Sequence, residues 1–360
     1  AADAATTQAG PPASADQNEA ADLLRARILL RGRSVADGAS FILDAPTEVP
    51  TVWGAGGQVW WAKGEELIIC GPPGVGKTTI AQQAVLARIG LRDELLGLPV
   101  EPEEHKVLYI AADRPAQAQR SFARMVTEAD RQVVADKLVV WRGPLPFDLA
   151  KEPRGLLILA EEMGAGTVVI DSLKDVALDL SSDETGSRLN NSVQIALAEG
   201  VEVVALHHQR KSQQGGGKPK SLADLYGSVW IGAGAGSVML VWGEPGDPLV
   251  EVSHLKQPNE EVGPHKVAHD HARGVSTIEA PMDLVEWIRC QPEGTTAMDA
   301  AMRLFETGGP SRPQVAKARR RLDALVDDGR LERLPGRRGG QGGAEGHRYR
   351  VATIEGMRGS

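Results

Sequence analysis

Short apolar runs alternate with segments of helical hydrophobic spacing along most of this chain. The apolar runs are rich in Val, Ile and Leu and have the length of buried strands. Between them, apolar residues recur every three or four positions, as they do on one face of a helix. Strands that alternate with helices predict an α/β domain with a mostly parallel sheet covered by helices. The predicted strands are 67–70, 107–111, 138–141, 167–170, 201–206, 238–242 and 250–255.

The alternation stops at Ala280-Pro281, where a second unit begins. A Gly-rich tip over 335–346 separates two short strand patterns near its end. We therefore expect a small helical domain that ends in a hairpin. Its predicted elements are helices over 282–290, 296–305 and 312–328, and strands over 331–334 and 347–351.

The segment before the α/β pattern divides in two. Residues 1–19 are rich in Ala, Gly, Pro, Ser and Gln, a composition that buries too little apolar surface to offset the entropy of ordering. Apolar residues over 21–30 have helical spacing and predict an amphipathic arm whose apolar face needs a partner, in the same chain or on a neighbouring subunit. The expected division is a disordered lead over 1–19, an arm helix and lead-in over 20–50, the α/β domain over 51–280, the C-terminal domain over 281–352 and a vector-derived tail over 353–360.

Composition limits the class of protein. The chain has no run of about 18 apolar residues and no signal-peptide pattern at its start, so we expect a cytoplasmic protein without a membrane segment. Cys70 and Cys290 are its only cysteines, which excludes a disulfide framework, and we expect both to be small core residues. The net charge of −8 argues weakly against nucleic acid, but binding depends on where Lys and Arg cluster.

A phosphate-binding loop follows the first predicted strand of the α/β domain. Glycines let consecutive backbone N–H groups turn towards phosphates, Lys77 reaches the β and γ phosphates, and the Thr78 hydroxyl can bind Mg²⁺. Because the strand, the full motif and a helix pattern come in the right order, we expect ATP and Mg²⁺ as ligands. The expected nucleotide-binding residues are Gly71, Pro72, Pro73, Gly74, Val75, Gly76, Lys77, Thr78 and Thr79.

Two carboxylates follow later strands of the same sheet. Asp171 ends the strand over 167–170 and is the expected second Mg²⁺ residue beside Thr78, although a strand-end aspartate can also cap a helix. Asp113 follows the strand over 107–111 and either polarises the attacking water or caps the helix that starts near Pro115. For Asp113 both interpretations stay open.

Two further polar strand ends complete the candidate site. His207-His208 lacks a further Cys or His at zinc-ligand spacing, so hydrogen bonding of His208 to the γ-phosphate is preferred to metal binding. Lys256 ends the last predicted strand as an unpaired cation. It is either a solvated surface lysine or a finger that neutralises transition-state charge at a neighbour's nucleotide.

As a set, these residues resemble the RecA-fold ring ATPases, specifically plasmid RepA-type and DnaB-type replicative helicases. The resemblance runs from Trp53 to Ile278. It implies a homo-oligomeric, hexameric ring, in which Asp113 is the catalytic base, His208 senses the γ-phosphate and Lys256 acts across the subunit interface. Two positions depart from the family: Glu is usual where Asp113 stands, so hydrolysis is expected to be slow, and Pro258 replaces a second finger arginine.

A basic loop follows the histidine pair. Residues 210–220 carry four cations and no acid, within an acidic protein. In the resembled rings the corresponding loop lines the central channel and grips single-stranded DNA, whereas a solvated linker is the alternative. The expected DNA contacts in this loop are Lys211, Lys218 and Lys220.

The C-terminal unit has its own basic surface. Its third helix packs one face through residues such as Val315 and Leu322 and presents cations on the other, and residues 311–350 hold eleven Lys or Arg against five Asp or Glu. Three helices and a basic hairpin resemble a winged helix-turn-helix, which implies binding to double-stranded DNA, with a protein-interaction module as the alternative. The expected contacts are Gln314, Lys317, Arg320, Arg321, Arg337 and Arg338.

The combined expectation is a DNA-dependent ATPase of replicative helicase type from a plasmid, phage or integrated element. A RecA-fold ATPase that binds DNA and switches on nucleotide without unwinding is the second interpretation. A transcriptional regulator whose ATPase is a ligand sensor is the third. A metabolic kinase is disfavoured, because the sequence indicates no lid or acceptor pocket and such an enzyme would leave the DNA-binding module unexplained.

Overall fold

The computed structural model describes residues 36–209, 218–219, 221–279, 284–305, 307–335 and 347–352. The predicted disordered lead, the arm helix over 21–30, the tail over 353–360 and the expected DNA contacts Lys211, Lys220, Arg337 and Arg338 lie outside these residues. The chain divides into two compact units, Ala1–Glu279 and Ala280–Ser360. Among the residues described, none of the helices has the length and apolar character needed to span a membrane.

Both units contain strands. They are β1 Thr51–Ala55, β2 Gln58–Ala62, β3 Leu67–Gly71, β4 Glu94–Leu95, β5 Leu98–Pro99, β6 Lys106–Ala111, β7 Leu138–Arg142, β8 Ala165–Asp171, β9 Glu202–His208, β10 Ser237–Trp242, β11 Leu249–Lys256, β12 His265–Asp270, β13 Val275–Ile278, β14 Thr295–Thr296, β15 Leu331–Leu334 and β16 Arg348–Val351.

Helices of varied length connect these strands. They are α1 Gly38–Leu43, α2 Lys77–Arg88, α3 Pro115–Phe122, α4 Arg131–Lys137, α5 Gly155–Met163, α6 Asp183–Ala198, α7 Val229–Gly234, α8 Leu284–Arg289, α9 Ala297–Leu304 and α10 Arg312–Asp327.

The first unit is built on a nine-stranded sheet in the order β13-β12-β11-β10-β3-β9-β8-β6-β7. The strands from β10 to β7 in this order pair in parallel. A large, mostly parallel α/β sheet is therefore confirmed. The strand predicted over 250–255 is antiparallel to β10, and it is not the last one, because β12 and β13 follow it. These two were missed because β12 reads His-Lys-Val-Ala-His-Asp, with little apolar patterning.

Both faces of the parallel strands are covered. In β3, Leu67 and Ile69 face a cluster that includes α2, whereas Ile68 and Cys70 face a cluster that includes α5 and α6. Burial on both faces explains the continuous apolar runs in the sequence. Open α/β sheets that are covered on both faces bind ligands beyond the carboxyl ends of their strands.

A hairpin of β1 and β2 precedes β3 and was not predicted. Its tryptophans Trp53, Trp60 and Trp61 are almost fully buried. The Trp53 indole N–H donates to the Leu95 carbonyl over 2.9 Å, and the Trp53 and Trp60 ring centroids lie 5.9 Å apart. The Gly-Gly turn between two aromatic runs is a hairpin signal, so this element was predictable from the sequence.

The second unit combines α8, α9 and α10 with a three-stranded antiparallel sheet in the order β14-β16-β15. Its core includes Ile288, Leu322 and Tyr349. Ser311 and Gln314 form a capping box at the start of α10, which satisfies backbone donors of its first turn. Cys290 lies just after α8 and is exposed, so the expectation that it is a core residue was wrong.

Candidate nucleotide-binding site

The phosphate loop connects the carboxyl end of β3 to the start of α2 at Lys77. Gly71 has φ of +146°, and a Cβ there would lie 2.0 Å from the Val241 carbonyl oxygen. Only glycine fits this position, where the chain turns away from the sheet. The motif therefore begins where the parallel strands end, which is where open α/β sheets bind ligands.

Lys77 is buried and bonded to its own loop. Its Nζ donates to the carbonyl oxygens of Gly71 and Pro72 over 3.0 and 2.6 Å. Burial lowers the pKa of Lys77 to about 8, while Cys70 and Asp171 act in the opposite direction. A triphosphate would offer the ammonium group full negative charges in place of two neutral oxygens.

Thr78 and Asp171 meet at the expected Mg²⁺ site. The Thr78 hydroxyl donates to Asp171 Oδ2 over 3.1 Å. Burial raises the pKa of Asp171, and hydrogen bonds from Tyr109 and Thr78 oppose that shift. A hydroxyl and a carboxylate beside a phosphate loop are the hard oxygen ligands that Mg²⁺ takes, with phosphate oxygens and water completing the shell. These residues therefore fit the ion.

Tyr109 is a site residue that sequence reasoning missed. It lies on β6, is fully buried, and its hydroxyl donates to the same Asp171 Oδ2 over 2.6 Å. Its ring packs edge-on against Phe122 with centroids 5.1 Å apart. A tyrosine inside a buried apolar strand needs a partner for its hydroxyl, and that need was the available signal.

Asp113 follows β6 and is half exposed. Its Oδ2 lies 3.5 Å from both Lys174 Nζ and Arg114 Nε. Arg114, not Asp113, is the N-cap residue of α3, and no side chain caps that helix. The capping interpretation of Asp113 therefore loses its support, and its role as catalytic base stays a prediction. Lys174, in the turn after β8, was not predicted.

His207 and His208 end β9, level with Cys70 and Gly71 of β3. Burial lowers the pKa of His207 to about 4, and its Nε2 lies 2.5 Å from the Tyr226 carbonyl oxygen. Burial, together with the positive charges of Lys77 and Lys174, lowers the pKa of His208. Its contact with a γ-phosphate stays a prediction.

Lys256 lies near the amino ends of the parallel strands, opposite to the phosphate loop. Lys256 pairs with Val238 at the start of β10. The strand β3 lies on the other side of β10, begins at the same level and ends at the phosphate loop. Its Nζ donates to the carbonyl oxygens of Ala233 and Ala235 over 2.9 and 2.5 Å. The expectation of an unpaired cation was wrong, because the carbonyls that end α7 attract it.

The expected DNA contacts within the described residues have different surroundings. Lys218 forms an ion pair with Glu251. Lys317, Arg320 and Arg321 are exposed on α10. The Gln314 Oε1 accepts hydrogen bonds from the Ser311 backbone N–H and hydroxyl over 2.8 and 2.9 Å, so part of this side chain is used in capping.

The family comparison agrees with this geometry. The profile of the family described as AAA domain matches residues 33–214, just over half of the chain. No curated protein matches the sequence. The matched segment holds the phosphate loop, Asp113, Asp171 and the histidine pair on one mostly parallel sheet. The chain belongs to the AAA domain family, as a P-loop ATPase of the RecA-like type.

Proposed function

We propose that this ATPase is a DNA helicase or translocase of the replicative type. It assembles as a homo-oligomeric, hexameric ring and hydrolyses ATP with Mg²⁺ at the interfaces between subunits. It grips single-stranded DNA with the loop over 210–220 and binds double-stranded DNA with its C-terminal unit. Its biological setting is the replication of a plasmid, a phage or another mobile element.

The observation that carries the proposal is a backbone link between β9 and the chain that follows the basic loop. The Tyr226 backbone N–H donates to the His208 carbonyl oxygen over 3.0 Å, and the Tyr226 carbonyl oxygen bonds His207. Gln209 forms an isolated bridge with Leu225. The chain that enters the basic loop at Gln209 and the chain that leaves it at Leu225 are therefore hydrogen-bonded to each other, next to the end of β9. A shift of His208 on γ-phosphate binding would move a loop with four cations and no acid.

The C-terminal unit supports the DNA part of the proposal. Three helices with an antiparallel sheet have the composition of a winged-helix domain, and α10 is the third helix. Its buried face holds Ala318 and Leu322, and Lys317, Arg320 and Arg321 are exposed. Exposed cations on a helix whose other face is packed suit phosphate contacts.

The test is ATP hydrolysis with and without single-stranded DNA, in the wild type, Lys77→Ala and Asp113→Ala. We expect DNA to stimulate wild-type turnover and each variant to lose about 100-fold or more, because Lys77 binds the transferred phosphoryl and Asp113 activates the attacking water. Strand displacement on a forked duplex then measures unwinding. An ATP hydrolysis rate that DNA does not change, together with a wild-type rate in Asp113→Ala, would contradict the helicase proposal.

The ion pairs of Asp113 favour a second candidate, a nucleotide-gated DNA-binding switch that does not unwind. Lys174 Nζ and Arg114 Nε both lie 3.5 Å from Asp113 Oδ2. These ion pairs engage an oxygen that a catalytic base would use to accept a proton from water. This switch would bind DNA differently with ATP and with ADP while hydrolysing slowly. Nucleotide-dependent DNA affinity without strand displacement would identify it.

A further inference from the structure

His269, on β12, contacts the phosphate loop from outside the site described so far. Its Nε2 lies 3.1 Å from the Val75 carbonyl oxygen, and its Nδ1 lies 2.8 Å from Ser276 Oγ. The side chain is 6% exposed. A buried imidazole with both nitrogens engaged thus joins the loop to the hairpin of β12 and β13.

Gln83 of α2 extends the connection. Its Nε2 donates to Ser276 Oγ over 2.8 Å and to the Thr79 carbonyl oxygen over 3.2 Å. Its Oε1 accepts from the Ser276 backbone N–H over 2.9 Å. The network therefore ties the loop, the helix behind it and the hairpin together.

One assignment of hydrogens satisfies every member of this network. The Val75 carbonyl oxygen can only accept, so His269 Nε2 carries a hydrogen. In the neutral ring Nδ1 then accepts from the Ser276 hydroxyl, whose oxygen accepts from Gln83. The imidazole is then neutral and protonated at Nε2, which donates to the Val75 carbonyl oxygen. Burial, and to a lesser degree His271, lower the pKa of His269, which agrees with a neutral ring.

The loop leaves space for this ring only because residue 76 is glycine. Gly76 has φ of +93°, and a Cβ there would lie 2.3 Å from His269 Nε2. The imidazole therefore packs directly on the Val75–Gly76 peptide. In a trans peptide the C=O and the following N–H point in opposite directions.

We propose that His269 is a positioning residue for ATP binding: by holding the Val75 carbonyl outward, it aims the Gly76 N–H into the loop, where the phosphates bind. His269 does not touch the nucleotide. It sets the direction of one donor before the ligand arrives, so its contribution is to affinity and not to the chemical step. The inference rests only on nucleotide binding by the loop and is independent of helicase action.

The test compares four variants of the full chain by equilibrium binding of a fluorescent ATP analogue with Mg²⁺ and by ATPase kinetics. We expect His269→Ala to raise the dissociation constant and KM about tenfold with little change in kcat. His269→Gln, whose amide nitrogen reaches the place of Nε2, should recover most of the affinity. His269→Asn reaches only the place of Nδ1 and should resemble alanine. His271→Ala, at an exposed neighbour, is the matched control.

Folding defects are separated by the melting temperature without nucleotide and by its increase on adding ATP. The proposal requires that the ATP-induced increase falls in His269→Ala and returns in His269→Gln. Equal loss of affinity in the alanine, asparagine and glutamine variants would show that the ring only fills space, and would overturn the proposal. Wild-type affinity in all of them would do the same. Lys77→Ala, measured alongside, establishes that the probe reports the phosphate loop.

Discussion

At the scale of single residues, Asp171 Oδ2 is the atom on which the metal site depends. It accepts hydrogen bonds from the hydroxyls of Thr78 and Tyr109, and the side chain is partly buried. If the Thr78 hydroxyl binds Mg²⁺, the hydrogen bond from Tyr109 remains to orient the Asp171 carboxylate. Removing a hydrogen-bond partner of a metal-binding side chain typically lowers metal affinity about 10- to 100-fold.

Tyr109→Phe should therefore raise the Mg²⁺ concentration for half-maximal ATPase activity about tenfold. The ring and its edge-on contact with Phe122 are kept, so little change in melting temperature is expected. The measurement is a Mg²⁺ titration at saturating ATP, with the melting temperature recorded for both proteins. An unchanged Mg²⁺ requirement would mean that Asp171 is oriented without this hydroxyl.

Residues of the site were predictable from sequence where their signal was local. The phosphate loop is one contiguous motif, and Asp171, Asp113 and His208 each come within two residues of the end of a predicted apolar strand. Tyr109 and His269 carry no such signal. Each acts on a residue more than sixty positions away, through pairing of strands that only the folded sheet brings together. The bonds of Lys256 were missed for the same reason, since their partners end a separate helix.

At the scale of elements, buried parallel strands were easier to predict than strands with polar residues. β3, β8 and β9 are buried on both faces and read as continuous apolar runs. β12 and β13 lie at one edge of the sheet and carry polar residues, so their patterns are weak. The missed strands still contribute to the site, because β12 supplies His269.

The helix α10 carries the prediction for duplex DNA. Replacing Arg320 and Arg321 with alanine should weaken binding several-fold and lower the slope of log affinity against log salt by about one for each phosphate group that the helix no longer binds. Lys317 remains in this variant to preserve part of the surface. The measurement is fluorescence anisotropy of a labelled duplex at several salt concentrations.

Arg303→Ala, an exposed cation on α9, is the control for loss of charge within the same unit. ATP hydrolysis without DNA should be unchanged in both proteins, since none of these residues belongs to the nucleotide site. If both proteins bind duplex as the wild type does, the C-terminal unit does not bind duplex DNA through Arg320 and Arg321 of α10.

At the scale of the whole molecule, the ring proposal depends on groups at the two opposite ends of the parallel strands. The phosphate loop lies at the carboxyl end of β3, and Lys256 lies level with its amino end. A head-to-tail interface joins two different surfaces of identical subunits, and such contacts form a ring when the rotation between neighbours closes. Lys256 of one subunit can then serve the nucleotide of the next, whereas it is remote from its own loop.

Mixing inactive subunits tests this arrangement. Lys77→Ala and Lys256→Ala should each abolish most turnover, yet a 1:1 mixture should recover up to about a quarter of wild-type activity. In random order, one interface in four joins an intact phosphate loop to an intact Lys256. A mixture of Lys77→Ala with Asp113→Ala should recover nothing, because both residues serve the site of their own subunit. Light scattering must show assemblies of the same mass in every sample, and a monomer would contradict the ring directly. If neither mixture recovers ATPase activity, Lys256 does not act at a neighbour's nucleotide, and its role is to cap α7.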